Sequence, residues 1–388
     1  MNYIFKTQLG VLFWSLLVMS CTDRPVESQY YEIDLFGNGD HGIANYRIPS
    51  LVATNKGTVL AVCDARVDRP GDLPNNIDLV IRRSSDNGQT WSDQETIVDY
   101  PGQEGGGDPC MVVDKITGKV WLFYVYGAEG IGINYSKQGL AADSTQQLYA
   151  MTSSDEGLTW TPPRNLTPEI KDPAWYGVFF ASGRGIQSSD GSLLIPLIVR
   201  KSFGTASNDH AHVAISNDHG NTWRVGESAG ILMGESKLTE LSDGKIMINM
   251  RSKHKLGQRA VNLSADGGET WGDFFHDKQL VEPACNASIL NYPARENSSD
   301  LLLFSNPASN NKRERMSVRK SSDEGQTWSE PVLVYEGPSA YSSMTVLADG
   351  TIGLLYERGT QNASEKITFA KFPLEWLDNE LEQMAQLK

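Results

Sequence analysis

One eight-residue motif, Ser-x-Asp-x-Gly-x-Thr-Trp, recurs five times in this chain and constrains its fold more than any other feature. In each copy the Ser and Asp side chains can accept hydrogen bonds from nearby backbone N–H groups, and the Gly supplies a positive φ. The Trp is large enough to pin the turn against its own sheet. The motif, called the box below, therefore predicts a hairpin corner that recurs once per structural repeat. The five boxes span residues 84–91, 153–160, 216–223, 264–271 and 321–328.

The spacing of the boxes sets the size of the repeat. Successive boxes begin 48 to 69 residues apart, which fits a four-stranded sheet with its turns better than a helical hairpin. Dividing the residues from 29 onward by the mean spacing of about 59 residues gives six units. We therefore predict an all-β fold, a six-bladed β-propeller of four-stranded antiparallel blades that occupies residues 30–388.

The sixth blade has to come from the part of the chain that follows the last box. Short alternating strands are predicted there, at residues 331–335, 342–347, 352–356 and 366–372. A segment near residues 30–36 would add the outer strand of this blade and close the ring, which removes exposed sheet edges. Apolar residues spaced by threes and fours predict an amphipathic helix at residues 374–387, packed on the outside.

The charge balance excludes one class of partner. The chain contains 34 Lys plus Arg against 48 Asp plus Glu, and its net charge of −14 repels nucleic acid. His210 and His212 lie two apart on a predicted strand, but no third metal ligand is near them in the sequence. Cys63, Cys110 and Cys285 match neither a disulfide framework nor a zinc site. We therefore expect no metal and no cofactor.

The first 21 residues read as an export signal. The apolar run at residues 9–19 is too short to span a membrane as a mature helix. It ends at Val18-Met19-Ser20-Cys21, which resembles the lipobox of bacterial lipoproteins, in which Cys21 would carry the lipid. An ordinary secretory signal cut nearby is the alternative. Residues 22–29 then form a short tether, and we expect a lipid-anchored protein of the bacterial envelope, periplasmic or at the cell surface, or otherwise a secreted one.

A propeller by itself indicates no activity, so the functional residues have to be sought outside the boxes. Three arginines stand in separate motifs: Arg47 in Tyr46-Arg47-Ile48-Pro49, Arg251 at the end of an apolar strand, and Arg313 within residues 306–319. A guanidinium is a planar fork that meets a carboxylate with two hydrogen bonds and stays charged at any working pH. These motifs are similar to those of the bacterial exo-sialidases, and the similarity extends from about residue 30 to about residue 375. It implies that the three arginines bind the carboxylate of sialic acid, with Arg315 as the alternative to Arg313 on the same strand face.

The same resemblance implies a nucleophile and its base. Tyr341, in Ala340-Tyr341-Ser342-Ser343, matches the nucleophile motif, and Glu235, in Gly234-Glu235-Ser236, matches its partner. Because sialic acid carries a carboxylate on its anomeric carbon, a neutral phenol avoids the repulsion that an anionic nucleophile would meet. Tyrosine has an unperturbed pKa of about 10, so a carboxylate has to accept its proton as attack proceeds.

The acid/base implied by the resemblance is Asp72, in a Gly- and Pro-containing loop that follows the strand ending at Arg66. If this loop closes over a sugar, its carboxyl group is partly desolvated, which raises its pKa. Asp68 and Asp78 are competing candidates. Further binding residues carried over are Arg66 for the ring hydroxyls, Asp108 as a polar group, and Ile48 and Leu73 beside the N-acetyl group.

The sequence thus predicts an exo-alpha-sialidase that acts with retention of configuration through a covalent sialyl-tyrosine intermediate. We expect its partners to be sialylated glycans, glycoproteins or glycolipids, with membrane contact through the lipid anchor alone, and a monomeric protein. One alternative is a transglycosylating relative, which would differ around the acceptor site, where Trp175 and Tyr176 are the residues of interest. The other is a propeller that binds sialosides without cleaving them, and such a protein would have no reason to keep Tyr341, Glu235 and Asp72.

Overall fold

The computed structural model of the protein describes residues 30–293 and 300–387. The predicted signal peptide, residues 1–21, and the predicted tether, residues 22–29, lie outside the described residues. The first described strand, β1 (Tyr31–Gly37), precedes a 3-10 turn at Asp40–Gly42 and belongs to the last blade. The other strands follow in chain order, blade by blade, from the inner strand of each sheet outward.

The first three blades occupy residues 45–231. Blade one consists of β2 (Asn45–Ala53), β3 (Val59–Arg66), β4 (Ile77–Ser84) and β5 (Glu95–Val98). Blade two consists of β6 (Gly105–Val113), β7 (Val120–Gly127), β8 (Gln147–Ser153) and β9 (Arg164–Asn165). Blade three has an interrupted inner strand, made of β10 (Gly177–Phe180), β11 (Gly183–Arg184) and β12 (Ile186–Gln187), followed by β13 (Leu193–Arg200), β14 (Asp209–Ser216), β15 (Arg224–Val225) and β16 (Gly230–Ile231).

The last three blades complete the ring. Blade four consists of β17 (Met233–Glu240), β18 (Ile246–Ser252), β19 (Gln258–Ser264) and β20 (Phe275–Val281). Blade five contains β21 (Ser288–Tyr292), β22 (Leu301–Pro307), β23 (Glu314–Ser321) and the first part of β24 (Val332–Val346). Blade six contains the second part of β24, then β25 (Ile352–Arg358), β26 (Lys366–Phe372) and β1. The predicted six blades are therefore confirmed.

The sixth blade differs from its prediction in one strand. Residues 331–335 were expected to belong to it, but the first part of β24 pairs with β23 and so forms the outer strand of blade five. The outer strand of blade six is β1, which pairs antiparallel with β26 as the sequence predicted. This closure explains the missing box. A box joins the third and fourth strands of a blade, and in blade six those strands come from opposite ends of the domain.

Each box folds as its residues predict. In the second box Ser153 Oγ accepts from the Gly157 N–H at 2.8 Å, and Gly157 has a φ of +77°. Asp155 accepts from the backbone N–H of Thr159 at 2.9 Å and from its hydroxyl at 2.5 Å, and these hydrogen bonds lower the pKa of Asp155 to about 2. The box is thus a self-contained hairpin corner.

The box tryptophans, by contrast, pack against the neighbouring blade as well as their own. Trp91 of blade one lies edge-on to Phe369 of blade six, with ring centroids 5.0 Å apart. Trp223 of blade three lies 5.3 Å from Phe123 of blade two. The expectation that each Trp pins its turn against its own sheet is therefore incomplete, because a box also fastens its own blade to the one before it.

Two short helical segments, α1 (Thr167–Ile170) and a 3-10 turn at Ala206–Asn208, lie in connections. The C-terminal helix, α2 (Leu374–Gln386), buries Leu377 against blades five and six, as the sequence predicted. Within the described ranges no helix has the length and apolarity needed to cross a membrane. The apolar core lies between blades, where for example Leu79 of blade one and Leu122 of blade two share one cluster.

The direction of the strands defines the two faces of the ring. Because strands alternate direction within a blade, the start of the first strand and the end of the second lie on one face, here called the upper face. The boxes, which follow the third strands, lie on the opposite face. The inner strands surround the axis, and β24 of blade six lies beside β2 of blade one, where Leu51 N donates to Ser343 Oγ at 3.1 Å.

Candidate active site

A cavity of about 230 Å³ opens on the upper face at the centre of the ring. Its wall contains nine of the ten residues singled out in the sequence, namely Arg47, Ile48, Asp72, Leu73, Asp108, Glu235, Arg251, Arg313 and Tyr341. Arg66 lies behind the wall, buried beside Asp72. Three further lining residues, Ile133, Gln146 and Phe179, have no sequence signal that we can identify. The geometry therefore brings residues from all six blades to one place.

Local irregularities in the inner strands aim these residues at the axis. The pairing register shifts at the same level in β2 (Arg47 to Ser50), β6 (Gly107 to Cys110), β17 (Met233 to Ser236) and β24 (Ser339 to Ser342). A bulge of this kind bends the strand and redirects a side chain. At two of them the backbone is left-handed, with φ of +62° at Ile48 and +56° at Asp108. For a β-branched residue such as Ile48 that conformation is strained, and it is found where other contacts enforce it.

Tyr341, Glu235 and Arg251 form one hydrogen-bonded group. The Tyr341 hydroxyl donates a short hydrogen bond to Glu235 Oε1. Arg251 Nη1 donates to Glu235 Oε2 at 2.7 Å and to the Tyr341 oxygen at 3.2 Å. Gly234 permits this approach, because a Cβ there would lie 3.2 Å from Arg251 Cδ. The phenol thus has an acceptor for its proton on one side and a cation on the other.

The protonation states of this group follow from its surroundings. Burial would raise the pKa of Glu235, but the Arg251 guanidinium and the Tyr341 hydroxyl outweigh it and hold that pKa below its ordinary value. Burial and the Glu235 carboxylate raise the pKa of Tyr341 well above 10, against the opposing effect of the arginines. In the free protein the proton therefore stays on Tyr341 and Glu235 is ionised.

A carboxylate that sequence reasoning missed, Glu357, fixes Arg47. Its two oxygens accept from Arg47 Nε at 2.9 Å and Nη2 at 3.0 Å, and also from the backbone N–H groups of Ile48 at 2.8 Å and Tyr341 at 3.2 Å. Its side chain is fully buried. Arg47 in turn lies over the Tyr341 ring, 5.0 Å from its centre. A signal did exist, because Glu357 directly follows the apolar strand residues 352–356, where a buried charge needs a partner.

The third arginine in the cavity is Arg313, and Arg315 lies elsewhere. Arg313 is 5.6 Å from the centre of the Tyr341 ring and donates to Ala284 O at 3.2 Å. Arg315 pairs with Glu336 at 2.7 Å on the surface. The expectation that both share a strand face is wrong, because Arg313 precedes β23 and Arg315 occupies a bulge with φ of +64°.

Asp72 belongs to a second charged group at the mouth of the cavity. Its carboxylate lies 2.8 Å from Arg66 Nη2 and is 81% exposed, so in the free protein it is paired rather than desolvated. Arg66 also donates to the buried carboxylate of Asp64 at 3.2 Å and to Pro70 O in the loop at 2.8 Å. Asp64 accepts the backbone N–H of Asp108 at 3.0 Å. One guanidinium therefore links the loop to the strand bulge of blade two through a carboxylate.

Comparisons with known proteins show which family this chain resembles. Residues 57–354 match the family described as BNR repeat-like domain. The chain is 41% identical over 367 residues to a sialidase of Micromonospora viridifaciens, covering 90% of this chain and 55% of that protein. It is 36% identical over 336 residues to a sialidase of Bacteroides fragilis (82% and 61% covered). The solved structure of the Hadza microbial sialidase Hz136 matches with a TM-score of 0.80 at 33% identity, over 88% of this chain and 68% of that one.

The chain belongs to the sialidase family. The resemblance seen in its motifs is thereby confirmed. This sialidase-family chain spans a little more than half the length of the Micromonospora and Bacteroides relatives.

Several sequence candidates lie outside the site of this sialidase-family chain. Asp68 is exposed and accepts from Gln103, while Asp78, whose pKa is raised to about 7 by burial and by Asp99, does not line the cavity. Trp175 packs on His212, with ring centroids 5.4 Å apart, and Tyr176 packs on Phe203 at 5.9 Å.

The histidines and cysteines named in the sequence also lie elsewhere. His210 is held by Ser228 and Asn208, and His212 by Gly226 O. In the described part of the chain no three His, Cys, Asp or Glu side chains come together as metal ligands. Cys63, Cys110 and Cys285 are buried free thiols.

Proposed function

We propose that this protein is an exo-alpha-sialidase that releases terminal sialic acid from glycans, glycoproteins or glycolipids with retention of configuration. The observation that carries the proposal is the Tyr341 phenol, hydrogen-bonded to both Glu235 and Arg251, in a cavity lined by three guanidinium groups. A sialic acid is an anionic sugar, and the three guanidinium groups that converge on this cavity are planar forks that can each give two hydrogen bonds to a carboxylate. The family membership supports the same substrate class.

The arginines divide their donors between the protein and the substrate. Glu357 uses the Nε and Nη2 groups of Arg47, which fixes the plane of the fork and leaves Nη1 for a ligand. Arg251 gives Glu235 a single hydrogen bond, from Nη1, and leaves Nη2 for a ligand. Arg313 has one bond, to Ala284 O, and retains the most free donors of the three. A carboxylate bound among them places the anomeric carbon beside Tyr341, whose ring lies under Arg47 and Arg313 and whose oxygen accepts from Arg251.

The reaction then proceeds in two displacements. In the first, the Tyr341 oxygen forms a bond to the anomeric carbon while the bond from that carbon to the leaving oxygen breaks. The phenolic proton passes to Glu235, its hydrogen-bond partner, and the Asp72 carboxyl group gives a proton to the leaving oxygen. In the second, a water molecule gives a proton to Asp72 and its oxygen bonds to the same carbon. The bond to Tyr341 breaks and Glu235 returns the proton to the phenolate.

The charges in the resting site suit this sequence. Glu235 is ionised and can accept a proton, but its lowered pKa means that transfer becomes favourable only as the Tyr341 oxygen bonds to carbon. The arginines near the phenol stabilise the negative charge that develops on its oxygen. Asp72 is exposed at the mouth of the cavity, where water can reach it for the second step. We also propose that the protein is exported and anchored through Cys21, and that it acts as a monomer.

The test is turnover of a fluorogenic sialoside, with the released sugar followed by NMR. Retention predicts that the α anomer appears first and converts to the equilibrium mixture later. Early appearance of the β anomer would contradict the two-step scheme, and a new sialylated product after addition of lactose would indicate transfer instead of hydrolysis. Binding without release would indicate a noncatalytic protein.

A pair of variants separates the nucleophile from tyrosines in general. Tyr341→Phe keeps the ring and the arginines but removes the nucleophilic oxygen, so turnover should fall by about a thousandfold or more while sialoside binding persists. Tyr335→Phe is the matched control, since Tyr335 donates to Gly359 O and does not line the cavity. Equal turnover in the two variants would refute the role of Tyr341.

A further inference from the structure

Asp64 is a buried carboxylate beside the site, and it takes no part in the proposed reaction. It lies on β3, two residues before Arg66, and only 1% of its surface is exposed. Burying an ionised carboxylate is costly unless its oxygens are well satisfied. Asp64 therefore needs partners that compensate for its burial.

Both oxygens of Asp64 serve the acid/base region. Oδ2 accepts from Arg66 Nη2 at 3.2 Å, and the same nitrogen contacts Asp72 at 2.8 Å. Arg66 also donates through Nη1 to Pro70 O, in the loop that carries Asp72. Asp64 Oδ1 accepts from the N–H of Asp108, whose left-handed backbone forms the bulge in β6.

The charges around Asp64 are unbalanced. Arg66 is shared with Asp72, and Asp108 faces the group from blade two. On the neighbouring strands Asp64 pairs in register with Arg47, which Glu357 engages, and with Leu79. Burial raises the pKa of Asp64 to about 6 although Arg66 opposes the shift. Three carboxylates thus compete for one guanidinium.

We propose that Asp64 is a positioning residue for the acid/base step, because it anchors Arg66 and through it holds Asp72 at the mouth of the cavity. The inference rests on the proposed function and deepens it. Without the Asp64 charge the Arg66 side chain could move toward solvent together with the exposed Asp72. The loop would then lose its connection to strand β3. Asp64 itself touches no reacting atom.

The experiment uses two substrates that differ in how much they need an acid. A 4-nitrophenyl sialoside releases 4-nitrophenolate, a stabilised anion that needs no proton to leave. Sialyllactose releases lactose, whose leaving oxygen has to be protonated. Asp64→Asn keeps the volume and the acceptor for Asp108 N but places an amide donor against the donors of Arg66. It should lower kcat/KM on sialyllactose about tenfold to a hundredfold, and on the nitrophenyl sialoside by less than about threefold. Asp68→Asn, on the exposed part of the same loop, is the matched control and should change neither.

A double variant tests whether Asp64 acts through Asp72. If it does, Asp64→Asn/Asp72→Asn should be no slower on sialyllactose than Asp72→Asn alone, since the first change has nothing further to remove. Equal losses on the two substrates, or additive losses in the double variant, would overturn the inference while leaving the proposed function intact. An unmodified protein inactive on both substrates would overturn the proposed function and the inference together. Should Asp64→Asn fail to fold, Arg66→Lys is the substitute, because the donors of lysine sit on one nitrogen, whereas Arg66 contacts Asp64 and Asp72 through Nη2 and Pro70 O through Nη1. The same substrate bias is expected.

Discussion

Replacing Glu357 by glutamine should weaken the fold and the site together. Its four partners are all donors: Arg47 Nε and Ile48 N on one oxygen, and Arg47 Nη2 and Tyr341 N on the other. A glutamine offers one acceptor oxygen and one NH2 group, so it keeps one pair of contacts and sets donors against donors at the other. Breaking a buried pair in this way costs about 3–5 kcal/mol.

That free energy converts into a measurable shift of the melting temperature. Unfolding entropies are about 2.1 cal/mol/K per residue. In a domain of roughly 350 residues, each ~0.7 kcal/mol of lost unfolding free energy therefore lowers Tm by about one degree. Glu357→Gln should therefore lower Tm by about 4–7 °C. The matched control is Glu336→Gln, which breaks the exposed pair with Arg315 and should shift Tm by at most about 1 °C. Calorimetry of both variants, with sialoside KM measured in parallel, is the assay, and KM should rise only for Glu357→Gln, because Arg47 loses its support.

The stabilisation that Glu357 provides should depend on pH. Although burial opposes it, the Arg47 guanidinium lowers the pKa of Glu357, so its contribution to stability is complete above the unfolded value of about 4.3 and is lost as pH falls through the lower folded value. The gap in Tm between the unmodified protein and Glu357→Gln should therefore narrow below about pH 4.3. Equal Tm for Glu357→Gln and Glu336→Gln at neutral pH would refute the reasoning.

Three further predictions concern the clamp, the boxes and the anchor. Arg313→Lys should impair sialoside turnover more than Arg315→Lys, because only Arg313 lines the cavity and lysine lacks the planar fork; comparable kcat/KM values would mean that the wrong arginine was assigned. Gly220→Ala should lower Tm more than Gly244→Ala, by about 1–4 °C, since both glycines have φ near +80° but a Cβ at Gly220 would lie 2.2 Å from Trp121 and one at Gly244 meets nothing within 4 Å. Cys21→Ala should abolish incorporation of labelled fatty acid in a bacterial host, and unchanged labelling would argue against the lipobox.

How far the sequence could predict the fold depended on the range of the interactions involved. A box is a local structure whose Ser, Asp and Gly bond within five residues of one another, so the spacing between boxes predicted the size and number of the blades. The assignment of the first part of β24 failed for the opposite reason. A strand that runs on from one blade into the next carries no local mark of which neighbour it pairs with, and the pattern of alternation is the same in either sheet.

The site residues also divide into those marked by local motifs and those defined by long-range contacts. Tyr341, Glu235 and Arg47 stand in short motifs and were found through them, but Asp64 and Glu357 are single carboxylates inside apolar strands. Their meaning lies in partners distant in the chain: Asp108 is 44 residues from Asp64, and Arg47 is 310 residues from Glu357. Arg315 illustrates the remaining difficulty. A one-residue bulge reverses which face a side chain takes, and no spacing in the sequence reports it.

These long-range contacts place the site on the seam that closes the ring. Tyr341 and Glu357 belong to blade six and Arg47 and Ile48 to blade one, and the hydrogen bonds of Glu357 cross from one to the other. Blade six is itself completed by β1 from the other end of the domain. The strained φ at Ile48 can be enforced only when that seam is closed, because the acceptor for its N–H comes from the far blade. On the opposite face each box fastens its own blade to the one before it, and this leaves the upper ends of the inner strands free to carry bulges and charges. The boxes that join the blades and the reacting groups thus lie on opposite faces of the ring, and at the seam Glu357 contributes to stability and to the site together.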